Sequence, residues 1–358
     1  MNWSSIRSHS DQMQMLHRSL ERGRLAHAYL FAGSPGIGKS LFARIFAKAL
    51  LCLRNDGSNL DICGECSSCR QFDAASHPDF FYISKPEDKA EIPVRVFIGE
   101  EEKRPRDGLI YDLSLKPMTS TRRLAIIDDA NAMNDEGANA MLKTLEEPPP
   151  HSVLILIAEN LDAILPTIRS RCQLLRFAPL SKQEVEKLLI EHELASSPEE
   201  AAEVAAMSEG SLQTAAQLLK PELRRLRDEL GKFLASADMN PIAASKTVLE
   251  GIDASSSESS ENRLNVRWLI RFAQEFYRQA TLIITNPESL TSPPLELRSF
   301  ADRQRKLGVV GLEKTLELFD RVVEAEGHLD SNVAPARTIE SMFDDLARLG
   351  RRKTPAAR

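Results

Sequence analysis

Three short runs in the first half of the chain carry no polar break: Ala28-Tyr-Leu-Phe-Ala32, Leu124-Ala-Ile-Ile127 and Val153-Leu-Ile-Leu-Ile-Ala158. Apolar residues at every position, rather than at alternate ones, predict strands covered on both faces, as in a parallel sheet flanked by helices. From Ser40 to Leu53 the period changes. Leu41, Phe42, Ile45, Phe46, Ala49 and Leu50 recur at helical spacing, which predicts a helix just after the first strand. Strands alternating with helices make residues 1–178 an α/β domain.

Beyond Phe177-Ala-Pro-Leu180 the pattern is helical. Ser181 and Glu184 make a capping box, each satisfying a free backbone donor of the other. Ser197-Pro198 opens a second helix with proline at its first position, and Ser211 caps a third that runs to about Leu219. These predict a three-helix module over residues 179–221. Longer helical patterns at Glu261–Ile284, Leu312–Glu326 and Ala334–Leu349 predict an all-α domain over residues 222–350. The serine-rich stretch Asp253–Glu261 reads as a loop, and the basic residues 351–358 as a disordered tail.

The chain has 358 residues, 42% of them hydrophobic, enough to bury the cores of two or three domains. With 46 basic and 52 acidic residues the formal charge is −6, so contact with nucleic acid must be local or shared with partners. No apolar run reaches membrane-spanning length, and the polar N-terminus lacks the apolar core of a secretory signal. Four of the five cysteines are bunched, which suits a reduced, cytoplasmic compartment and a metal better than disulfides.

Gly33-Ser-Pro-Gly-Ile-Gly-Lys39-Ser40 fits G-x-x-x-x-G-K-[ST] between a strand and a helix, the context of a P-loop. Gly33, Gly36 and Gly38 let backbone N–H groups turn inward around phosphate oxygens. Lys39 would reach the β- and γ-phosphates of ATP, or the β-phosphate of ADP, and Ser40 would ligate Mg²⁺. The acidic end of the second apolar run supplies the partner motif. Asp128 would hold Mg²⁺ through water, and Asp129 stands where a carboxylate would polarise an attacking water. Aspartate is one methylene shorter than glutamate, which shortens that reach; the plain structural alternative is a strand-end turn capped by Asp.

Cys63, Cys66 and Cys69 give two C-x₂-C spacings in tandem, and Cys52 ends the helix after the P-loop. Four thiolates suit a closed, tetrahedral, structural Zn²⁺ without catalysis. An iron–sulfur cluster is the chemical rival, but no redox motif accompanies it.

With these motifs in place, the sequence resembles bacterial DNA polymerase III clamp-loader subunits, members of the AAA+ group. The resemblance rests on His27-Ala-Tyr-Leu-Phe-Ala-Gly33, the four-cysteine insertion at about 52–69, His77-Pro-Asp79 and Leu113-Ser-Leu-Lys-Pro117. It continues through Ala140-Met-Leu-Lys-Thr-Leu-Glu-Glu-Pro-Pro149 and Ile168-Arg-Ser-Arg-Cys172, spanning roughly residues 10–180. It implies a nucleotide-binding AAA+ domain, a helical lid and a helical collar. It implies partners too: tau/gamma- and delta-type subunits, with a sliding clamp and primer-template DNA reached through the assembly at the nucleoid-associated replisome. Ser170-Arg171-Cys172 then corresponds to an arginine finger, Arg171 acting in trans on a neighbour's nucleotide. No membrane partner is implied.

Within that family the motor subunits carry Asp-Glu at the acidic strand end, a threonine at the next strand end and an arginine in the lid. Here stand Asp128-Asp129, Glu159-Asn160 after the third run, and Gln213 after Gly210-Ser211-Leu212. A kept finger beside weakened hydrolytic positions resembles the delta-prime type, with weak or no ATPase of its own. Such subunits are commonly classed with the nucleotidyltransferase activity of the holoenzyme, although no polymerase carboxylate constellation is visible. Two alternatives stay open: the tau/gamma-type ATPase motor of the same complex, and a stand-alone AAA+ remodelling ATPase. Lys116, Arg122 and Arg123 read either as a phosphate contact or as a solvated basic patch, and His77 as a local capping or packing residue.

Overall fold

The unbroken apolar runs become the interior of a five-stranded, all-parallel sheet. The structure, a computed structural model, describes residues 2–351 apart from 56, 58, 87, 88, 90, 101–105, 256–258, 289–292 and 332. The chain divides into two units, Met1–Ala216 and Gln217–Arg358.

In the first unit, α1 (Ser10–Glu21) and β1 (Ala28–Ala32) lead to α2 (Lys39–Leu51), α3 (Ser67–Asp73) and β2 (Phe80–Ile83). The short helices α4 (Arg95–Ile98) and α5 (Leu109–Ser114) precede β3 (Arg123–Ile127). Then come α6 (Asp135–Glu146), β4 (Ser152–Ala158), α7 (Pro166–Arg169) and β5 (Gln173–Arg176). The strand order is β2-β3-β4-β1-β5.

Successive side chains of a strand point to opposite faces, so a strand buried on both needs apolar residues throughout. Tyr29, Phe31, Leu124, Ile126, Val153 and Ile155 meet Phe42 and Phe46 of α2 on one face. Leu30, Ala125, Ile127, Leu154 and Leu156 meet Met141 and Leu145 of α6 on the other. The two edge strands, β2 and β5, are only partly buried, and no unbroken apolar run marks them in the sequence.

Three helices complete the unit: α8 (Lys182–Glu191), α9 (Pro198–Met207) and α10 (Leu212–Leu218), the last crossing into the second unit. The caps form as their sequences dictate. Glu184 N–H donates to Ser181 Oγ at 3.2 Å and Ser181 N–H to Glu184 Oε2 at 2.8 Å. Glu200 N–H donates to Ser197 Oγ, and Thr214 N–H to Ser211 Oγ.

The second unit is helical: α11 (Pro221–Ala235), α12 (Pro241–Ser255), α13 (Ser259–Thr285), α14 (Leu295–Arg305), α15 (Val309–Asp330) and α16 (Pro335–Arg351). The long α13 packs against α14 and α15. Ile339, Met342, Phe343 and Leu346 put the buried stripe of α16 at helical spacing. The serine-rich loop expected at Asp253–Glu261 is largely helical instead, because α12 runs to Ser255 and α13 begins at Ser259. Serine is only modestly unfavourable in a helix, and Ile252 anchors the end of α12 in the core. Of the tail, Arg351 closes α16, and residues 352–358 lie outside the described residues. Among the described residues no helix is long and apolar enough to cross a membrane.

The basic patch also needs correction. Arg123 is buried, donating to Asp112 O at 2.7 Å and Lys116 O at 3.2 Å, with its Nε 3.6 Å from Asp79 Oδ1. It ties β3 to the loop after α5 and is closed to DNA. Asp79, wholly buried, accepts from the backbone N–H of Met118, Thr119 and Ser120 at 2.7, 2.8 and 2.9 Å. His77 is a packing residue. Its Nδ1 accepts from Asp79 N–H, which leaves Nε2–H to donate to Ser68 Oγ at 2.8 Å.

Burial alone would push the Asp79 carboxyl up, but the three backbone donors and Arg123 outweigh it and hold it below the ordinary carboxylate value. A group lowered on folding stabilises above its unfolded pKa, and that stabilisation is lost as pH falls through the folded pKa. Asp79→Asn is therefore expected to cost about 3–5 kcal/mol at pH 7, by leaving Arg123 without its buried partner. Urea titrations should show the gap from wild type shrinking as the solution is acidified below the normal aspartate range.

Candidate functional site

The P-loop follows β1, an inner strand of the sheet, on the edge where β3 and β4 also end. Gly36 takes a positive φ of 70°, and a Cβ there would lie 2.3 Å from Ser211 Oγ and 2.5 Å from Gln213 Cβ. Its carbonyl accepts from Leu212 N–H at 2.9 Å. The start of α10 therefore sits directly on the loop, and only glycine allows that approach. At Gly33 an added Cβ would meet Phe177 O at 2.4 Å, so the loop's first residue is equally pressed. Gly38 caps α2, whose first N–H groups face the cleft as a ready anion site.

Lys39 is buried at the base, its Nζ donating to Gly33 O and Ser34 O at 2.6 Å each. Burial lowers its pKa, while the carboxylates of Glu159, Asp128 and Asp129 act the other way. A cleft of about 570 Å³ opens from here, lined by the P-loop, Asp128, Asp129 and Glu159 together with the apolar Ile6, Leu180, Leu188 and Leu194. Polar, phosphate-sized surroundings beside an apolar slot suit a nucleotide.

Ser40 and Asp128 are brought together, joined by a residue the sequence did not single out. Tyr82, in β2, donates its hydroxyl to Asp128 Oδ2 at 2.5 Å, and that hydroxyl lies 3.1 Å from Ser40 Oγ. Burial and the bond to Asp128 push the Tyr82 phenol up to about 12, so it stays protonated. Asp129 is in the left-handed region at φ 56°, with its N–H on Asp128 Oδ1 at 3.1 Å. Burial first, then the neighbouring Asp128 charge, raises its carboxyl. Glu159, at the end of β4, is fixed through its N–H to Asn131 Oδ1.

Arg171 lies just after α7 and does not line this cleft. Its Nη2 meets Glu146 Oε1, at the end of α6, at 2.5 Å, and its Nη1 donates to Thr167 O at 2.8 Å. A third of the side chain is exposed. The adjacent Cys172 is pushed up to about 12 by burial and is an inert thiol.

The four sulfurs of Cys52, Cys63, Cys66 and Cys69 all lie within 4.8 Å of one another. Cys52 Sγ is 3.6 Å from Cys63 Sγ, which is 3.9 Å from Cys69 Sγ. A tetrahedron of Zn–S bonds would set the sulfurs about 3.8 Å apart, so the donor set fits. Cys66 N–H points at Cys63 Sγ and Cys69 N–H at Cys66 Sγ, each at 3.4 Å, which favours the thiolate on the receiving sulfur. All four would hold the ion, leaving no open position for catalysis.

Residues 8–181 match the family model described as DNA polymerase III, delta subunit. Over that stretch the chain is similar to DNA polymerase III clamp-loader subunits. It is 36% identical over 225 residues to the DNA polymerase III subunit delta' of Pseudomonas aeruginosa, covering 63% of this chain and 65% of that protein. It is 34% identical over 182 residues to the delta' subunit of Bacillus subtilis, covering 51% of each. The gamma/tau subunit of Mycobacterium tuberculosis H37Rv is 36% identical over 172 residues, 48% of this chain and 28% of that protein. The chain thus spans between half and two thirds of the length of these delta' relatives.

The clamp-loader motifs place Lys39, Ser40, Asp128 and Asp129 around one cleft and Arg171 away from it. Tyr82 and Glu146 complete the two clusters. Glu146 sits inside the Leu-Lys-Thr-Leu-Glu-Glu motif and Tyr82 three residues after Asp79 of His-Pro-Asp, so each had a family motif beside it but no residue-level signal of its partner.

The cysteine cluster is expected to carry one zinc per chain in metal analysis of the purified protein. Cobalt exchange should give thiolate charge-transfer bands. Cys66→Ser should lower the Tm by about 5 °C or more, the shift roughly 2 kcal/mol produces in a unit of this size. Visible absorbance with stoichiometric iron would overturn the assignment.

Proposed function

We propose that this chain works as a delta-prime-type subunit of a DNA polymerase III clamp loader. In that role it joins tau/gamma- and delta-type subunits in the cytoplasm, at the replisome, to load a sliding clamp on primed DNA. The observation that carries the reading is Arg171: a partly exposed guanidinium, outside the chain's own nucleotide cleft, held by one surface carboxylate. Pairs of this kind contribute no more than about 1 kcal/mol. Arg171 can leave Glu146 for a neighbour's phosphate at small cost, and its permanent charge suits the transition state of phosphoryl transfer. The relatives named delta' support the same reading.

The chain's own cleft supports weak or no hydrolysis. Gln213, pressed against Gly36, offers no cation to a γ-phosphate, and Asp129 has the short side chain. The P-loop then binds ATP or ADP for structure, and the zinc centre is structural. The motor-subunit alternative draws on the complete P-loop and on the gamma/tau relatives.

Reconstitution with motor and delta-type subunits tests the proposal. With assembly verified by size, Arg171→Ala is expected to slow single-turnover hydrolysis at the adjoining site by about 10³-fold or more, and the isolated chain should turn over negligible ATP. Unchanged hydrolysis in the assembled variant would refute the finger. Robust turnover by the isolated chain, lost in Asp129→Asn, would make it a motor.

A further inference from the structure

The two groups that the P-loop pattern assigns to Mg²⁺ are the Ser40 hydroxyl and the Asp128 carboxylate, and a third oxygen stands between them. The Tyr82 hydroxyl lies 3.1 Å from Ser40 Oγ and donates to Asp128 Oδ2 at 2.5 Å. We propose that Tyr82 takes the metal subsite of this P-loop with its own hydroxyl, so that a nucleoside di- or triphosphate binds here without Mg²⁺.

Magnesium demands near-octahedral oxygen at about 2.0–2.1 Å and keeps several of its waters. An ion on Ser40 that reached Asp128 through water would need the space the phenol oxygen holds. The phenol is neutral and donates to one oxygen of Asp128, while Asp129 N–H donates to the other. A metal would have to break the Tyr82–Asp128 bond, lose the carboxylate oxygen's best donor and move the ring. The ring is held too. The guanidinium of Arg44, on α2, lies 5.5 Å over its centroid, and Arg44 Nε is buried with no hydrogen-bond partner among the described residues. That cation gains from the ring face what it lacks in hydrogen bonds. Tyr82 thus links α2, β2 and the end of β3 through one side chain. It leaves Lys39 and the loop N–H groups as the positive surroundings of a bound phosphate.

The inference concerns the chain's own P-loop and needs no assembly, so it stands or falls apart from the Arg171 reading. ADP binding to the full chain, followed by calorimetry in excess Mg²⁺ and in EDTA, tests it. Wild type is expected to bind in both, with affinities within about twofold. Tyr82→Phe keeps the ring over Arg44 and frees the subsite, and is expected to gain a Mg²⁺ enhancement of about tenfold, or 1.4 kcal/mol. Mn²⁺ supplies a second readout: its solution spin-resonance signal should persist with wild type and ADP, and fall with Tyr82→Phe and ADP. Lys39→Ala should abolish binding and so locate it. An equal Mg²⁺ enhancement in wild type and Tyr82→Phe, Mn²⁺ capture by wild type, or no ADP binding by wild type in EDTA would each overturn the proposal.

Discussion

The burial of β1 on both faces, between β4 and β5, fixes everything at the cleft. Its register sets Ala32 beside Ala158 on one side and Arg176 on the other, so the P-loop leaves the sheet where Glu159 also emerges. Phe31 and Tyr29 lock against α2. That helix carries Lys39 at its first residue and Cys52 at its C-cap, about 20 Å apart along one rod. The phosphate loop and the cysteine cluster are thus two ends of a single buried helix. Lys48, on the same helix and almost fully buried, binds both oxygens of Asp73 on α3 at 2.7 Å. Strain at the cysteine cluster would therefore be passed to α2 through packed side chains rather than absorbed by loops.

Which parts could be read from the sequence follows from how many elements each feature needs. β1, β3 and β4 were legible because double-sided burial leaves an unbroken apolar run. The P-loop and the cysteine spacings were legible because their chemistry is local in sequence. β2 and β5 escaped because an edge strand needs no such run. Arg123 was misread as a surface cation because its partner, Asp79, comes from the far side of two helices; nothing local in Arg122-Arg123 signals a buried ion pair. Tyr82 escaped for the same reason, since its role exists only where β2, α2 and β3 converge. The serine-rich stretch failed differently, by composition being taken for conformation.

Charge is distributed unevenly between the chain's own cleft and its outward guanidinium. Around Lys39 stand Asp128, Asp129 and Glu159, with burial already working against the lysine's charge. A triphosphate added to that set meets the Lys39 ammonium, helix N–H groups and three carboxylates, while Arg7 of the cleft wall is paired with Glu191 and Gln213 contributes only a dipole. This balance opposes charge build-up in a phosphoryl-transfer transition state. It is compatible with holding a nucleotide already bound.

Arg171 has the opposite setting. Its partner Glu146 closes α6, where a carboxylate meets the unfavourable negative end of the helix dipole. Arg171 offsets that cost in the isolated chain, and its bond to Thr167 O ties the guanidinium back to α7. A neighbour's phosphates would compete with a single, half-exposed carboxylate for this cation, and two or more phosphate charges outweigh one. On the proposed finger role, Glu146 would act as a holder: it would keep the arginine ordered before assembly, so less side-chain entropy, of the order of 2 kcal/mol for a free arginine, would remain to be lost on engaging a neighbour. The same pair that stabilises the lone subunit only slightly would thereby prepare it for the complex.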